Sequence, residues 1–193
     1  MGEDYGYSAK KQLTPPGQAA PLPDPKRGPM TPAPPIAIRG AADAPPPTAR
    51  LHLIKLSVGT ESVEGLAEWQ GARMAERAAL GIDPRPRHVT RMTPRRGGEL
   101  VPGGSIYWVI QRRIQARQPL AELQPVTGED GIRRCALILE PVLYRTLHRP
   151  RRPFQGWRYL TVEDAPPDTD TSPEMLADMP DDMREELERM GLL

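Results

Sequence analysis

Cysteine is nearly absent: Cys135 is alone among 193 residues. That excludes a disulfide scaffold and any cysteine-rich zinc module. Aromatic residues make up only 5% of the chain, with a single phenylalanine. No apolar run approaches the ~18–20 residues that a membrane-spanning helix needs. The first twenty residues lack the apolar core of a secretory signal. The expectation is a cytoplasmic protein with a reduced thiol and no membrane partner. Hydrophobic residues reach 38%, low for a compact chain, so part of the sequence is expected not to fold. With 25 prolines and 17 glycines, an all-helical bundle and a coiled coil are excluded.

The formal net charge of +1 conceals a strong segregation. Residues 1–83 hold nine basic and nine acidic residues, and residues 84–160 hold fifteen basic and five acidic. Residues 161–193 hold two basic and eleven acidic. Every basic residue of the middle segment is arginine. Genomic composition can favour arginine, but blocks of opposite sign require a physical account.

Twelve prolines crowd residues 1–49, with few large apolar side chains among them. Such a segment cannot bury enough surface to offset the entropy of ordering it. It reads as a disordered, polyproline-like tail, or as the product of a misplaced start. A single α+β domain is then expected over 50–193. Residues 51–58 are rich in Leu, Ile and Val and end at Gly59, the pattern of a buried strand. Residues 61–80 read as an amphipathic helix capped by Thr60. Its inner face is Val63, Leu66, Ala67, Gln70 and Met74, Trp69 packs in or beside the core, and Gly81 is the stop.

Residues 88–93 alternate like a short strand. From Ser105, alternation places Ile106, Trp108 and Ile110 on one face and Tyr107 and Val109 on the other. This predicts a half-buried strand, or two strands joined near Arg112 and Arg113; a helix over 110–118 is the competing reading. Residues 132–140 form another strand, interrupted at Pro141 and resumed over 142–146. Residues 148–153 read as a basic loop and 154–160 as the last strand. The acidic segment 161–193 is expected to be helical, with short helices opening at Ser172 and Pro180.

Several words occur together: LHLIKLSVG at 51–59, HVTRMTPRR at 88–96, GGSIYWVIQ at 103–111, IQARQ at 114–118, GIRRCA at 131–136, FQGWRYL at 154–160 and GLL at 191–193. In combination they resemble an uncharacterised bacterial family, domain-of-unknown-function family 1489, associated with alphaproteobacteria. The resemblance covers nearly all of 51–193, leaves out the proline-rich tail, and implies no activity. Separately, a strand, a helix, a basic loop and a Gly-Gly-Ser turn feeding a long strand are similar to the small barrels of the PUA and ASCH type, which bind RNA or modified bases. A mostly antiparallel, barrel-like sheet with flanking helices is the expectation from that likeness.

Guanidinium groups fork onto phosphate oxygens and stack on bases. Six of the nine aromatics share the arginine-rich segment. Arginines interleaved with aromatics are what single-stranded nucleic acid requires. The site expected on this basis uses Arg91, Arg95, Arg96, Arg117 and Arg158 on phosphates, with Trp108 or Trp157 stacking a base. RNA or another single-stranded nucleic acid would be the partner.

The bland alternative is a solvated face, with the arginines paired to the acidic segment or to a protein partner. A second alternative is an enzyme on a small anionic substrate, with His88 and Glu99 as acid and base. The three histidines are too scattered for metal-ligand spacing, so no metal is expected, and no cofactor is implied. Cys135, inside an apolar strand, reads as an inert core thiol.

Overall fold

The computed structural model describes residues 35–46, 48–101, 103–171 and 179–190. Most of the expected proline-rich tail, 1–34, lies outside the described residues, as does the helix expected to open at Ser172. In chain order the elements are β1 (Ala37–Arg39), a 3-10 turn (Ala41–Asp43), β2 (Leu51–Leu56), α1 (Val63–Ala79), β3 (Arg87–Thr90) and the single turn α2 (Gly97–Leu100). There follow β4 (Ser105–Ile110), β5 (Arg113–Thr127), β6 (Arg133–Leu139), β7 (Val142–Pro150), β8 (Trp157–Thr161) and α3 (Asp181–Arg189).

The strands form one open sheet in the order β1-β7-β5-β4-β2-β8, with β6 also paired to β5 and β3 paired to β6. β1 runs parallel to β7 and β2 parallel to β4. The other pairings are antiparallel. The fold is therefore α+β with a mixed sheet. The barrel-like expectation is corrected, because β1 and β8 end the order and do not meet. β5 organises the sheet: its first half lies between β4 and β7, and its second half pairs with β6. β6 and β7 thus follow one another along β5, with Pro141 at the interruption that the sequence marks.

The expected start of the fold also changes. β1 lies inside the stretch assigned to the tail and hydrogen-bonds alongside β7. Ile36 is buried in the main core. Three strand residues between prolines are too short for periodicity to reveal; tertiary pairing creates the strand.

β4 is buried at all six positions, where alternation predicted a half-buried strand. It sits between β2 and β5 with both faces covered. A central strand in this position carries a continuous apolar run. On one face α1 packs Val63, Leu66, Ala67 and Met74 against Leu53, Ile106, Trp108, Leu137 and Leu139. On the other, Ile54, Tyr107, Val109, Ile114 and Leu160 gather with Phe154 against them. Each such aliphatic side chain contributes about 1.5–3 kcal/mol by leaving water.

α1 begins two residues later than expected. Ser62 is the cap, its Oγ accepting from the Gly65 N–H at 3.0 Å. The Thr60 hydroxyl is engaged with that of Ser57, 2.5 Å away. The inner face matches the predicted five residues. Gly81, at φ +68°, ends the helix in the left-handed conformation that its missing Cβ permits. Trp69 departs from expectation: it is 50% exposed.

A polar node ties α1 to the sheet. Gln118 and Gln70 exchange two amide hydrogen bonds of 2.8 and 2.9 Å. The Gln118 carbonyl also accepts from Trp108 Nε1 at 3.1 Å, and its amide also donates to the Glu140 carbonyl at 2.9 Å. Replacing Gln118 by Leu strands the Trp108 N–H and the Gln70 amide in the core. Gln118→Leu is expected to lower unfolding free energy by roughly 2–3 kcal/mol in urea titration; an unchanged midpoint would contradict the role assigned to this node.

Candidate functional site

Of the fifteen arginines in 84–160, six are in ion pairs among the described residues. Arg85 meets Asp83 and Glu122, Arg96 meets Glu99, Arg134 meets Asp130, Arg145 meets Glu64, and Arg149 lies 3.9 Å from Asp164. The sixth is Arg117, 2% exposed, with Nε 2.6 Å from Asp168 Oδ1 and Nη2 2.7 Å from Oδ2. It also donates to the Ser105 hydroxyl and the Pro45 carbonyl, and stands 4.7 Å from the centre of the Tyr144 ring. Burial opposes its charge, and the Asp168 pairing reverses that effect, so its pKa is raised. Arg117 is therefore withdrawn from the expected phosphate-binding set, because a guanidinium that is 2% exposed and has four of its five N–H groups engaged inside the protein is closed to a ligand.

Trp108 is withdrawn as well. It is 4% exposed, bonded to Gln118, and set edge-on to His88 with ring centres 6.0 Å apart. Arg158 lies 5.0 Å from the centre of the Phe154 ring. Alternation along β8 sends it to the sheet face opposite Trp157 and Tyr159, which pack with the main core.

The remaining expected residues do come together. The loop after β3 is fastened to β8 at two points. Trp157 Nε1 donates to the Met92 carbonyl at 3.0 Å, and the Arg96 N–H donates to the Tyr159 hydroxyl at 3.0 Å. The Arg96 guanidinium lies over the Tyr159 ring at 5.5 Å, and the Trp157 and Tyr159 rings meet edge-on. Arg91, Arg95 and Arg96 are thus displayed, exposed, on a loop held by two half-buried aromatics.

A second basic cluster escaped sequence reasoning. Arg112 lies in the turn into β5 and Arg113 opens that strand, and the end of β7 lies beside them: Arg113 pairs with Pro150 and Ile114 with Arg149. The Arg151 N–H donates to the Arg112 carbonyl at 2.7 Å. Arg112, Arg113, Arg149, Arg151 and Arg152 therefore share one end of the sheet. The turn has Gln111 at φ 47° and Arg112 at φ 64°, a conformation usually given to Gly or Asn. Gln-Arg carries no such signal, so the hairpin that gathers these charges cannot be read from its turn. Residues 149–159 connect this cluster to the aromatic pair of β8.

The acid/base pairing of His88 and Glu99 has no direct contact behind it. Both Glu99 oxygens are held by Arg96, at 2.6 and 2.5 Å. His88 is half-buried, and burial with nearby Lys55 lowers its pKa to about 4. Burial raises the pKa of the Cys135 thiol, consistent with an inert core residue. Among the described residues, no three His, Cys, Asp or Glu side chains converge as a metal site. None of the described helices is long and apolar enough to cross a membrane.

Fold and site together define an open mixed-sheet α+β protein that displays unpaired arginines beside half-buried aromatics. The chain belongs to the family described as "protein of unknown function (DUF1489)", whose model matches residues 53–193. Neither a curated protein nor a solved structure matches it.

Two predictions concern the buried charge. Asp168→Ala leaves the Arg117 guanidinium without its counter-charge, and is expected to cost roughly 3–5 kcal/mol of stability. Urea unfolding checks this, with Arg117→Met/Asp168→Leu recovering much of the loss; a wild-type midpoint in Asp168→Ala would refute the pairing. His52 is fully buried and accepts the Ser105 N–H on Nδ1 at 3.2 Å, so its proton sits on Nε2. Burial first, then the Arg117 charge, pulls its pKa down to about 4. A lowered histidine pKa means that the unfolded chain takes the proton first. Stability is full above the ordinary value of about 6.5 and is lost as pH falls toward 4, by on the order of 3 kcal/mol for His52. Thermal unfolding between these limits should show the decline, and His52→Gln should make it shallower, with His88 contributing the remainder; an identical decline in the variant would place the effect elsewhere.

Proposed function

We propose that this protein is a cytoplasmic binding module for single-stranded nucleic acid, RNA in the first instance, held chiefly through its phosphates. One observation carries the reading. Nine arginines of the basic segment, Arg87, Arg91, Arg95, Arg112, Arg113, Arg133, Arg151, Arg152 and Arg158, have no carboxylate partner among the described residues. Eight of them are exposed and Arg151 is half-buried.

A chain that kept its arginines only to complement its acidic segment would pair them. Instead, only Asp164 and Asp168 of that segment reach the basic one through ion pairs among the described residues, and they engage Arg149 and Arg117. α3 pairs internally, Arg189 with Glu186 at 2.5 Å. The two displayed clusters are joined by 149–159, which carries Phe154, Trp157 and Tyr159. A polyanionic strand following that segment would exchange phosphates between guanidinium groups and lay bases near the exposed ring edges.

Fluorescence anisotropy of the full chain with a mixed-sequence single-stranded RNA tests this across a salt series. Binding should weaken with salt by a slope of about −0.7 per phosphate neutralised. Arg112→Ala/Arg113→Ala/Arg152→Ala should weaken binding and reduce the slope by about 2, since three phosphate contacts are lost. Absence of binding at low salt, or an unchanged slope in the triple variant, would reject the reading.

A further inference from the structure

A cleft of about 330 Å³ opens between the second half of α1 and the start of β3. It lies at the small end of the ~300–1,000 Å³ typical of small-molecule sites. Trp69, Met74, Pro86 and the arginines 73, 77, 85 and 87 line it, together with Gln70 and Glu76. Met74, Pro86 and Gln70 are buried and form the floor, and the Gln70 amide is tied to Gln118.

The charges around this cleft are unequally answered. Arg73 pairs with Glu76 at 3.1 Å, and Arg85 pairs with Asp83 at 2.6 Å and with Glu122 at 3.6 Å. Arg77 donates to the Asp83 backbone carbonyl at 2.7 Å, which carries no net charge. Arg87 has no carboxylate partner among the described residues. Arg77 and Arg87 therefore both line this space, and neither is ion-paired to a carboxylate among the described residues. Their positions are set by rigid elements, the last turn of α1 and the first residue of β3. Burial lowers the Arg77 pKa and the Arg87 charge lowers it further, while the Asp83 charge opposes both; the two guanidinium groups are close enough to repel one another. An anion between them would turn this repulsion into attraction.

The other wall supplies a ring. Trp69 is 50% exposed, on a helix whose inner face otherwise matches the buried set. Its ring already has the Arg73 guanidinium, a planar group, 5.7 Å from its centre. A flat heterocycle is a chemically suitable substitute for that contact.

We propose that this cleft binds a nucleoside monophosphate group, with its phosphate between Arg77 and Arg87 and its base against Trp69. The group can arrive as a free nucleotide or as the phosphorylated end of a strand. The site extends beyond the strand-binding surface and does not depend on it, since Arg87 alone of the cleft residues belongs to the nine unpaired arginines.

Calorimetric titration of the full chain with AMP, adenosine and inorganic phosphate tests it. AMP should bind, and bind more tightly than either fragment. Arg87→Gln, at an exposed position, should weaken AMP binding roughly tenfold or more, the loss expected for one charge-assisted contact. Trp69→Leu should weaken it severalfold. Arg112→Ala/Arg113→Ala/Arg152→Ala should leave AMP binding unchanged, so failure of the strand-binding reading stays distinguishable from failure of this one. Competition by 5′-phosphorylated against 5′-hydroxyl oligonucleotides then separates the two sources. Stronger competition by the phosphorylated strand identifies the strand end; equal competition identifies the free nucleotide. No saturable AMP binding at low salt, an AMP affinity no better than that of phosphate, or full binding by Arg87→Gln would overturn the proposal.

Discussion

Arg117 is 2% exposed, so its guanidinium must find every partner inside the protein. Leaving such a charge unanswered costs several kcal/mol, and answering it demands convergence of distant parts of the chain. The fold supplies that convergence. Asp168 comes from the segment after β8, Ser105 from β4, Tyr144 from β7 and the Pro45 carbonyl from the segment between β1 and β2. The same requirement draws residues near both ends of the described core onto the centre of the sheet. The isolated bridge between Thr146 and Asp168 extends the attachment. His52, neutral and one strand away, tolerates this positive neighbour only while it stays unprotonated. Acid sensitivity follows first from the burial of His52, and the central guanidinium adds to it.

This interaction also divides the arginines into two kinds. Those on or beside the interior are consumed: Arg117 by Asp168, Arg145 by Glu64 and Arg134 by Asp130. Those at 91, 95, 112–113 and 151–152 lie at ends of the sheet, and none of them is ion-paired among the described residues, whereas Arg96 on the same loop is held by Glu99. The β-hairpin between β4 and β5 and the long register of β7 bring separate sequence words to one end. The clustering of charge here is a consequence of topology, since neither the Arg-Arg pair at 112–113 nor that at 151–152 makes a cluster by itself.

Much of this architecture was legible. The inner face of α1 was visible as a helical spacing of Val63, Leu66, Ala67, Gln70 and Met74, and Gly81 as its stop. The opposing faces of β4 followed from alternation through Ile106, Tyr107, Trp108 and Val109. What escaped depended on tertiary pairing. β1 is three residues long and is stabilised by β7. β5 contains Pro119 and Pro125, which disguise a strand; Pro119 lies where pairing with β4 ends, and Pro125 pairs only with β6. Arg117 resembled its neighbours because charge in a sequence carries no depth. Its alternation partner Gln118 faces the helix, and only the presence of Asp168, fifty-one residues away, shows why an arginine can be buried opposite it. The Trp108 and Trp157 assignments separated for the same reason: one lies on a central strand, the other on the edge strand β8.

The central claim is that the displayed arginines and the aromatic segment joining them form one contact surface for a strand. Photocrosslinking with a single-stranded RNA carrying 4-thiouridine, followed by peptide mapping, tests it most directly. The account predicts crosslinks concentrated in peptides from 91–96 and 149–159, and none to the buried Arg117 or Trp108. Crosslinks spread evenly over the surface, or confined to segments outside these two, would contradict it.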